Sequence, residues 1–222
     1  MISKIFYENP LQDTCTAKVT NIENNTIQLD QTIFFAFSGG QASDHGTING
    51  IAVVKATKIS EEIIEYELEQ APNFQVADIV DVKIDLDRRK LLMRLHSAAH
   101  IVCFVFEEMT GIHYSKCIGS SVDVNKARLD YSIDNNISEY FEELTEKVNK
   151  IFTSDHPINT FANKEDSTRR EWECPTLNQA CPCGGTHVSN TNKIGKVRFK
   201  RKNTGKGKER IEIILIDAIL AD

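Results

Sequence analysis

The sequence predicts an α+β protein in which a small N-terminal β-barrel packs on a C-terminal part that mixes helices and strands. Short β-branched runs separated by turn residues fill residues 1–86, a pattern typical of a small barrel. Two helical patterns follow, near 87–109 and 137–153. These elements do not alternate as βαβ units, which favours α+β over a parallel α/β sheet. We predict a barrel domain over 1–86 and a second domain over 87–222, packed rigidly because no Pro/Gly linker separates them.

The strands of the barrel are predicted from runs that are rich in β-branched and aromatic residues. They lie at 16–22, 27–29, 51–54, 63–68 and 79–84. Turn signals separate them, at Asn24-Asn25 and at Asn49-Gly50. The Asn-Gly pair is a strong hairpin signal, because both residues tolerate the left-handed backbone conformation that a two-residue turn requires.

The longest helix is predicted by apolar residues spaced three and four apart over 87–109. They are Leu92, Leu95, Ala99, Val102, Phe106 and Met109, and Gly111 is the expected stop. Further along we expect a strand at 127–131 and a buried strand at 210–220. Between them, the second helix at 137–153 carries one apolar face, formed by Phe141, Leu144, Val148 and Ile151.

Two distant half-motifs point to a metal site. His96 and His100 lie four residues apart on the predicted helix, so their side chains share one face. Far downstream, Cys183 and His187 flank a glycine-containing turn. Three imidazoles and one thiolate suit zinc, which favours nitrogen and sulfur in a tetrahedron. The alternatives are hydrogen-bonded core histidines, or a different thiolate ligand from Cys174 or Cys181.

The ends and the composition of the chain point to a cytoplasmic protein. Residues 1–10 contain no long apolar run, as a signal peptide would. No stretch approaches the roughly 18 apolar residues that span a bilayer, so we expect no membrane contact. In a reducing compartment the six cysteines serve metal binding or burial rather than disulfides.

Positive charge is concentrated in one segment, 193–210. It contains nine basic residues and one acid, so it carries about +8 and leaves −14 for the rest of a chain whose net charge is −6. Such a segment on an acidic body indicates a polyanion partner contacted at one place. Its glycines, Gly195, Gly205 and Gly207, predict a flexible loop that clamps a backbone. The alternative is a solvated lysine-rich hairpin tip.

A second glycine-containing loop lies in the barrel region, over 34–46. Gly39 and Gly40 permit backbone conformations and close approaches that other residues do not. Small and polar side chains follow them directly. The loop could line a pocket or lie along a sugar-phosphate backbone, although most loops of this kind are ordinary turns.

These motifs occur together, in this order, in a known family. The first runs from Leu29-Asp30-Gln31-Thr32 into Ser38-Gly39-Gly40-Gln41-x-x-Asp44-x-Gly46. The others are His96-x-x-x-His100, Pro182-Cys183-Gly184-Gly185-Thr186-His187 and Lys208-Glu209-Arg210-Ile211-Glu212. Over essentially its whole length the chain resembles the alanyl-tRNA editing proteins of the AlaX family, and the editing domain of alanyl-tRNA synthetase.

The resemblance implies a fold, an activity and a cofactor. It implies a barrel-like N-terminal domain and an α+β editing domain of the threonyl- and alanyl-tRNA synthetase type. It implies hydrolysis of serine, and sometimes glycine, wrongly esterified to alanine tRNA. Zinc would be held by His96, His100, Cys183 and His187. Because no aminoacylation domain is present, we expect a freestanding editor that acts in trans on mischarged tRNA(Ala) and uses no nucleotide cofactor.

The resemblance also indicates substrate-recognition residues. Thr32 is the first candidate to read the serine hydroxyl, and Gln41 is the second; an ordinary strand threonine and a loop glutamine bonding its own backbone are the alternatives. The acceptor stem would lie on Gly39, Gly40, Lys196, Arg198, Lys200, Arg201 and Lys202. Arg210 matches the closing motif, but a structural ion pair is its alternative.

The sequence leaves the chemistry of the centre open. Four protein ligands fill a tetrahedral shell, which is the pattern of a structural zinc site. Water would then enter as a fifth ligand, displace a donor or attack from outside the shell. No carboxylate is nominated as a general base, and the preference for serine over glycine and the oligomeric state are left open. The rival interpretations are a zinc-stabilised tRNA-binding module without hydrolytic activity and a zinc hydrolase of another small ester or amide.

Overall fold

The first part of the chain is a set of strands that closes into a barrel. The computed structural model describes residues 2–205 and 207–216. Six strands form the closed barrel, in the order β2-β3-β7-β6-β5-β8, and β1 pairs with β4 beside it. The bounds are β1 Ser3–Lys4, β2 Thr14–Glu23, β3 Thr26–Leu29, β4 Gln31–Thr32, β5 Gly46–Ile48, β6 Ile51–Lys58, β7 Ile64–Leu68 and β8 Ile79–Ile84.

Alternation of buried and exposed side chains explains the barrel. Along β8, every second residue is buried, as expected of a strand with one face in a core. The interior contains Ile27, Phe34, Ile48 and Tyr66, all fully buried. Asn49 and Gly50 both adopt positive φ between β5 and β6, so the predicted hairpin is present.

The long helix, α1, runs over Leu86–Thr110. The Asp85 side chain caps its first turn by accepting a hydrogen bond from the Arg88 amide. Gly111, at φ 70°, ends it in the left-handed conformation. The second helix, α2, covers Phe141–Phe152 after a short 3₁₀ turn. Both predicted helices are therefore present.

The helices pack against a four-stranded antiparallel sheet in the order β14-β15-β10-β9. Its strands are β9 Cys117–Asp123, β10 Lys126–Tyr131, β14 Val197–Gly205 and β15 Lys208–Leu215. A three-stranded sheet, β11 Asn159–Ala162, β12 Arg170–Cys174 and β13 Gln179–Pro182, lies before the second half-motif. Within the described residues, neither helix combines the length and apolar character that spanning a bilayer demands.

The prediction of a flexible basic loop over 193–210 is wrong. Most of that segment is the strand pair β14–β15, because Val197 and Phe199 alternate with charged residues and pack on the core. Lys206 lies outside the described residues. The strand predicted at 210–220 is present as far as Leu215, and 217–222 also lie outside the described residues.

One buried ion pair ties α1 to the barrel. The fully buried Arg89 pairs with Asp44, donating from Nε to its Oδ1 at 2.9 Å. The same guanidinium donates to the carbonyl oxygens of Ile33 at 2.7 Å and Pro10 at 2.8 Å. Asp44 also accepts the Phe35 amide, so every charged atom of the pair is satisfied. The domain division near residue 86 stays a prediction.

Candidate metal centre

The two half-motifs meet in the fold. His96 and His100 project from α1, while Cys183 and His187 lie on the turn that follows β13. One nitrogen or sulfur atom from each of the four lies within 4.8 Å of the others. The Cys183 Sγ is 3.5 Å from the His96 Nε2 and 3.3 Å from the His187 Nε2. We call these four residues the metal centre.

Each histidine ring of the centre is held in place by a contact to its Nδ1 atom. The Nδ1 of His96 is 2.7 Å from the Gln41 Oε1, and that of His187 is 3.2 Å from the Ser97 Oγ. The Nδ1 of His100 is 3.4 Å from the Cys181 Sγ. Such outer partners orient metal-binding histidines and fix their tautomer, which leaves Nε2 of each ring for the ion.

The orientation of Gln41 follows from its other contacts. Its Oε1 accepts the Thr186 backbone amide at 3.0 Å, and its Nε2 is 2.9 Å from the Thr186 hydroxyl. A backbone amide can only donate, so the atom that faces His96 is the oxygen. The His96 Nδ1 must therefore carry the proton, and its Nε2 has the free lone pair that a metal requires.

The residues of the centre fit zinc. The Nε2 of His100 is buried and has no hydrogen-bond partner among the described residues, a costly state for a polar nitrogen. Zinc–nitrogen and zinc–sulfur bond lengths place tetrahedral ligands about 3.3–3.6 Å apart. The sulfur–nitrogen distances of 3.3 and 3.5 Å lie in that range. An ion here would satisfy the orphaned nitrogen.

Burial sets the protonation states of the centre. It lowers the pKa of His96 and His187 well below the usual value and that of His100 to about 4. All three rings are therefore neutral at pH 7, the form that binds metals. Burial raises the pKa of the Cys183 thiol to about 11. A bound cation is what would keep this sulfur as thiolate at neutral pH.

The glycine loop brings Gln41 to the centre. Residues 38–42 extend the four-stranded sheet beyond β9, because Val122 donates to the Gly40 carbonyl and accepts from the Ala42 amide, both at 2.9 Å. Gly40 has φ 86°, and a Cβ there would lie 2.8 Å from the Ser120 carbonyl oxygen. Only glycine fits this approach. Gln41 aligns with Val122 and is fully buried on the side of α1.

Thr32 lies in the barrel. Its side chain is fully buried. Its Oγ1 accepts the Phe34 amide at 2.9 Å and lies 2.8 Å from the Tyr66 hydroxyl. These contacts match the alternative of an ordinary strand threonine, and its role in reading a substrate hydroxyl stays a prediction. Gln41 touches the centre, but its amide is engaged with His96 and Thr186.

Among the described residues, the predicted tRNA contacts divide into exposed cations and cations held in ion pairs. Lys196, Arg198, Lys200 and Lys202 are exposed on or beside β14. Arg201 binds Glu209 through Nε at 2.6 Å and through Nη2. Arg210 binds Asp130, with its Nη2 at 2.9 Å, so the structural ion pair weighed for it is present.

Several contributors to the site were missed by the sequence analysis. Ser97 was not singled out in the sequence, although a hydroxyl beside a metal-binding histidine is a usable signal. Cys181 was weighed as a ligand but contacts His100 from outside the cluster. Arg128 lies on the same sheet face as the basic strand, in register with Glu212. No local sequence pattern indicates that last position.

The sequence of the chain is similar to known proteins. A family profile described as the threonyl and alanyl tRNA synthetase second additional domain matches residues 178–212, which include Cys183, His187 and the basic strand. The chain is 34% identical to "Alanyl-tRNA editing protein AlaX-M" of Pyrococcus horikoshii over 218 residues, covering 97% of this chain and 98% of that protein.

The chain is also similar to alanine–tRNA ligases. It is 32% identical over 227 residues to the ligase of Methanococcus maripaludis and 33% over 237 residues to that of Neorickettsia sennetsu. These alignments cover 94% and 95% of this chain but 25% and 28% of the ligases. The chain thus spans about a quarter of the length of those enzymes.

Proposed function

Because the chain belongs to the family of alanyl-tRNA editing proteins, we propose that it is a zinc-dependent hydrolase acting in trans. It removes chiefly serine, and sometimes glycine, that is wrongly esterified to alanine tRNA. The observation that carries the proposal is the metal centre, where the Nε2 atoms of His96 and His187 face the Cys183 thiol and a nitrogen of His100 lies in the same cluster. An ester is a labile bond, so the barrier needs only moderate lowering.

The chain's own residues position the reacting groups. Zinc bound by His96, His100, Cys183 and His187 would supply Lewis acidity towards the ester carbonyl or a water molecule. Gln41, Ser97 and Cys181 hold the three rings in place through their Nδ1 atoms. Within the described residues, no Asp or Glu joins the four-residue cluster, so the proposal names no carboxylate base.

The acceptor stem is proposed to lie on the outer face of the four-stranded sheet. Lys200, Glu212 and Arg128 are aligned across β14, β15 and β10, as are Lys202, Arg210 and Asp130. Among the described residues, β14, β15 and β10 present six cations and two acids, Glu212 and Asp130, on this face, and β9 adds a third acid, Asp123, opposite Lys126; the cations are Lys126, Arg128, Arg198, Lys200, Lys202 and Arg210. The loop with Gly39 and Gly40 lies four strand spacings away from β14, about 19 Å.

One observation favours a second candidate, a zinc-stabilised tRNA-binding module without hydrolytic activity. The centre supplies four protein ligands, and zinc sites of that kind are usually structural. Such a module would keep the metal and the basic face, and it would bind the tRNA while leaving the ester intact.

Deacylation measured on three esters of one tRNA separates the candidates. Zinc-loaded protein should release serine and glycine from tRNA(Ala) and spare alanine, and a chelator should abolish turnover.

Cys183→Ala should lose zinc and reduce the rate at least about 1,000-fold, since metal activation is lost with the metal. Cys15→Ala is the matched control, because Cys15 lies in barrel strand β2 and should keep both. Tight binding with an intact ester would establish the module instead, and full activity in metal-free protein would refute the metal centre.

A further inference from the structure

His100 differs from the other three residues of the metal centre in how it is held. The Cys183 Sγ lies 3.5 Å from the His96 Nε2 and 3.3 Å from the His187 Nε2. Within the described residues, no comparable contact joins this sulfur to His100, and the His100 Nε2 has no hydrogen-bond partner. His96 and His187 are buried, whereas His100 is half-buried. His100 is therefore the ligand that the rest of the centre holds least tightly.

A second thiol stands beside this ring. The Nδ1 atoms of the other two histidines meet side-chain oxygen atoms, whereas the Nδ1 of His100 meets the Cys181 sulfur at 3.4 Å. A thiol is a weak hydrogen-bond partner, but as a thiolate it is a strong zinc ligand. Of the four ligands, only His100 has this sulfur within hydrogen-bonding distance. A fifth donor is thus placed next to the ligand that is held least tightly.

The fold turns Cys181 towards α1. Cys181 lies opposite Trp172 in the pairing of β13 with β12, and directly opposed residues of a sheet point to the same face. Trp172 stacks on the His100 ring, with centroids 4.8 Å apart. The Cys181 sulfur therefore lies on the helix side of this sheet, in the layer that contains the metal centre.

Cys181 and Cys183 are also spaced for binding one ion. The Cys183 amide donates to the Arg170 carbonyl oxygen at 2.8 Å, so the pairing of β13 with β12 extends to Cys183. Alternate residues of an extended strand share a face, with Cα atoms about 6.6–6.8 Å apart. Two thiolates bound to one tetrahedral zinc lie about 3.8 Å apart. Side chains from such positions can converge to that spacing.

We propose that Cys181 is an alternative ligand to His100, so that an imidazole and a thiolate share the fourth position of the metal centre. His96, Cys183 and His187 bind the ion in both arrangements. Cys181 loses its thiol proton to solvent when its sulfur binds, and the released His100 imidazole stays neutral. The inference rests on the proposed function, which requires the ion, and it adds a fifth donor to the four ligands.

The two arrangements differ in their chemistry. A second thiolate adds negative charge to the centre and favours softer ions, so it lowers the Lewis acidity that polarises an ester carbonyl or a water molecule. His100 should therefore be needed for hydrolysis. Cys181 should be needed to keep the ion in place when His100 is displaced from it.

The test counts the sulfur ligands of bound cobalt, which replaces zinc and shows a charge-transfer absorption for each bound thiolate. The wild type should show one thiolate. His100→Ala should show two, with about twice the absorption, because Cys181 enters the position that the ring leaves. His96→Ala is the matched variant, since the His96 ring meets Gln41 and not a second thiol. Its cobalt should keep one thiolate, and chelator competition should show at least about tenfold weaker zinc binding than in His100→Ala.

Two double variants assign the second sulfur. His100→Ala/Cys181→Ala should return to one thiolate. His100→Ala/Cys174→Ala should keep two, because Cys174 is buried on β12 beside Thr176 and lies outside the four-residue cluster. The inference is overturned if His100→Ala binds cobalt through one sulfur or not at all.

Cadmium provides a measurement that leaves the His100 ring in place. It is a softer ion than zinc and should recruit Cys181 in the wild type, giving two thiolates, whereas Cys181→Ala should give one. Equal counts in these two proteins would overturn the inference even if His100→Ala does not fold. A wild type that binds none of these ions would defeat the metal centre and the inference with it. Absence of deacylation, with the spectra as expected, would defeat the proposed hydrolase alone, so the two failures are distinguishable.

Discussion

Polar and charged side chains surround the metal centre and also cover the outer face of the sheet. At the centre they are buried and hydrogen-bonded to one another, whereas on the outer face they are exposed to solvent. At the centre the polar side chains make specific buried contacts, as the three hydrogen bonds of Gln41 show. On the outer face the cations lie in water, and several already share acids with one another. Single contacts should therefore dominate the energetics inside, whereas the sum of many charges should matter outside.

Two Arg–Asp pairs offer the sharpest form of this comparison. Arg89 and Asp44 are fully buried, whereas the side chains of Arg210 and Asp130 each keep 16% exposure. Asp44→Asn leaves an uncompensated guanidinium in the interior and should cost about 3–5 kcal/mol of unfolding free energy. The same change at Asp130 should cost about 1 kcal/mol or less, since water can solvate Arg210.

Urea unfolding of both variants checks this difference. The wild type and Asp130→Asn should unfold at similar urea concentrations, and Asp44→Asn should unfold at a much lower one. Equal losses at both positions would mean that burial does not distinguish the two pairs, and the comparison between the inside and the outer face would fail.

At the centre, Gln41 should contribute strongly to zinc affinity although it is not one of the four ligands. Gln41→Leu removes the acceptor for the His96 Nδ1 and should weaken zinc binding about 10–100-fold. Gln41→Glu keeps an oxygen acceptor for both His96 and the Thr186 amide, so it should restore most of the affinity. Competition with a zinc chelator measures both variants, and circular dichroism checks that the fold is kept. If Leu and Glu weaken zinc binding equally, Gln41 acts through packing rather than by orienting His96.

The sequence was sufficient to predict elements whose pattern lies within one short segment. The three-and-four spacing over 87–109 predicts α1, and the same helix places His96 and His100 on one face. The strand β5 was missed because it has only three residues, begins at Gly46 where the glycine loop ends, and is defined by its pairing with β6 and β8. The basic strand β14 was misread as a loop, although the alternation of Val197 and Phe199 with charged residues is a strand pattern.

The rest of the site depends on contacts between distant segments. In the sequence, Arg89 is one of several charged residues on the predicted helix. In the structure it is fully buried against the barrel. Tyr7 and Arg170 are 163 positions apart, yet the Arg170 guanidinium lies over the Tyr7 ring, 4.5 Å from its centroid. Neither has a neighbouring motif. Such residues acquire their role only when the fold places a distant residue beside them. No hydrophobic periodicity or motif spacing in the sequence therefore predicts them.

The smallest effects are expected on the outer face. Lys200→Ala and Lys202→Ala each remove one exposed cation from β14. Each should weaken tRNA binding only about two- to fivefold, equally for charged and uncharged tRNA, because a phosphate contact carries no information about the ester. Each should also lower the slope of log affinity against log salt by about 0.7–0.9.

Titration of tRNA at several salt concentrations measures both quantities. Lys18→Ala, which removes an exposed lysine of the barrel, should leave affinity and slope unchanged. The double variant Lys200→Ala/Lys202→Ala should show the sum of the two single effects, since separate phosphates act independently. A single variant that abolishes binding would show that this face works through one fixed contact, as the metal centre does, and not through summed charge.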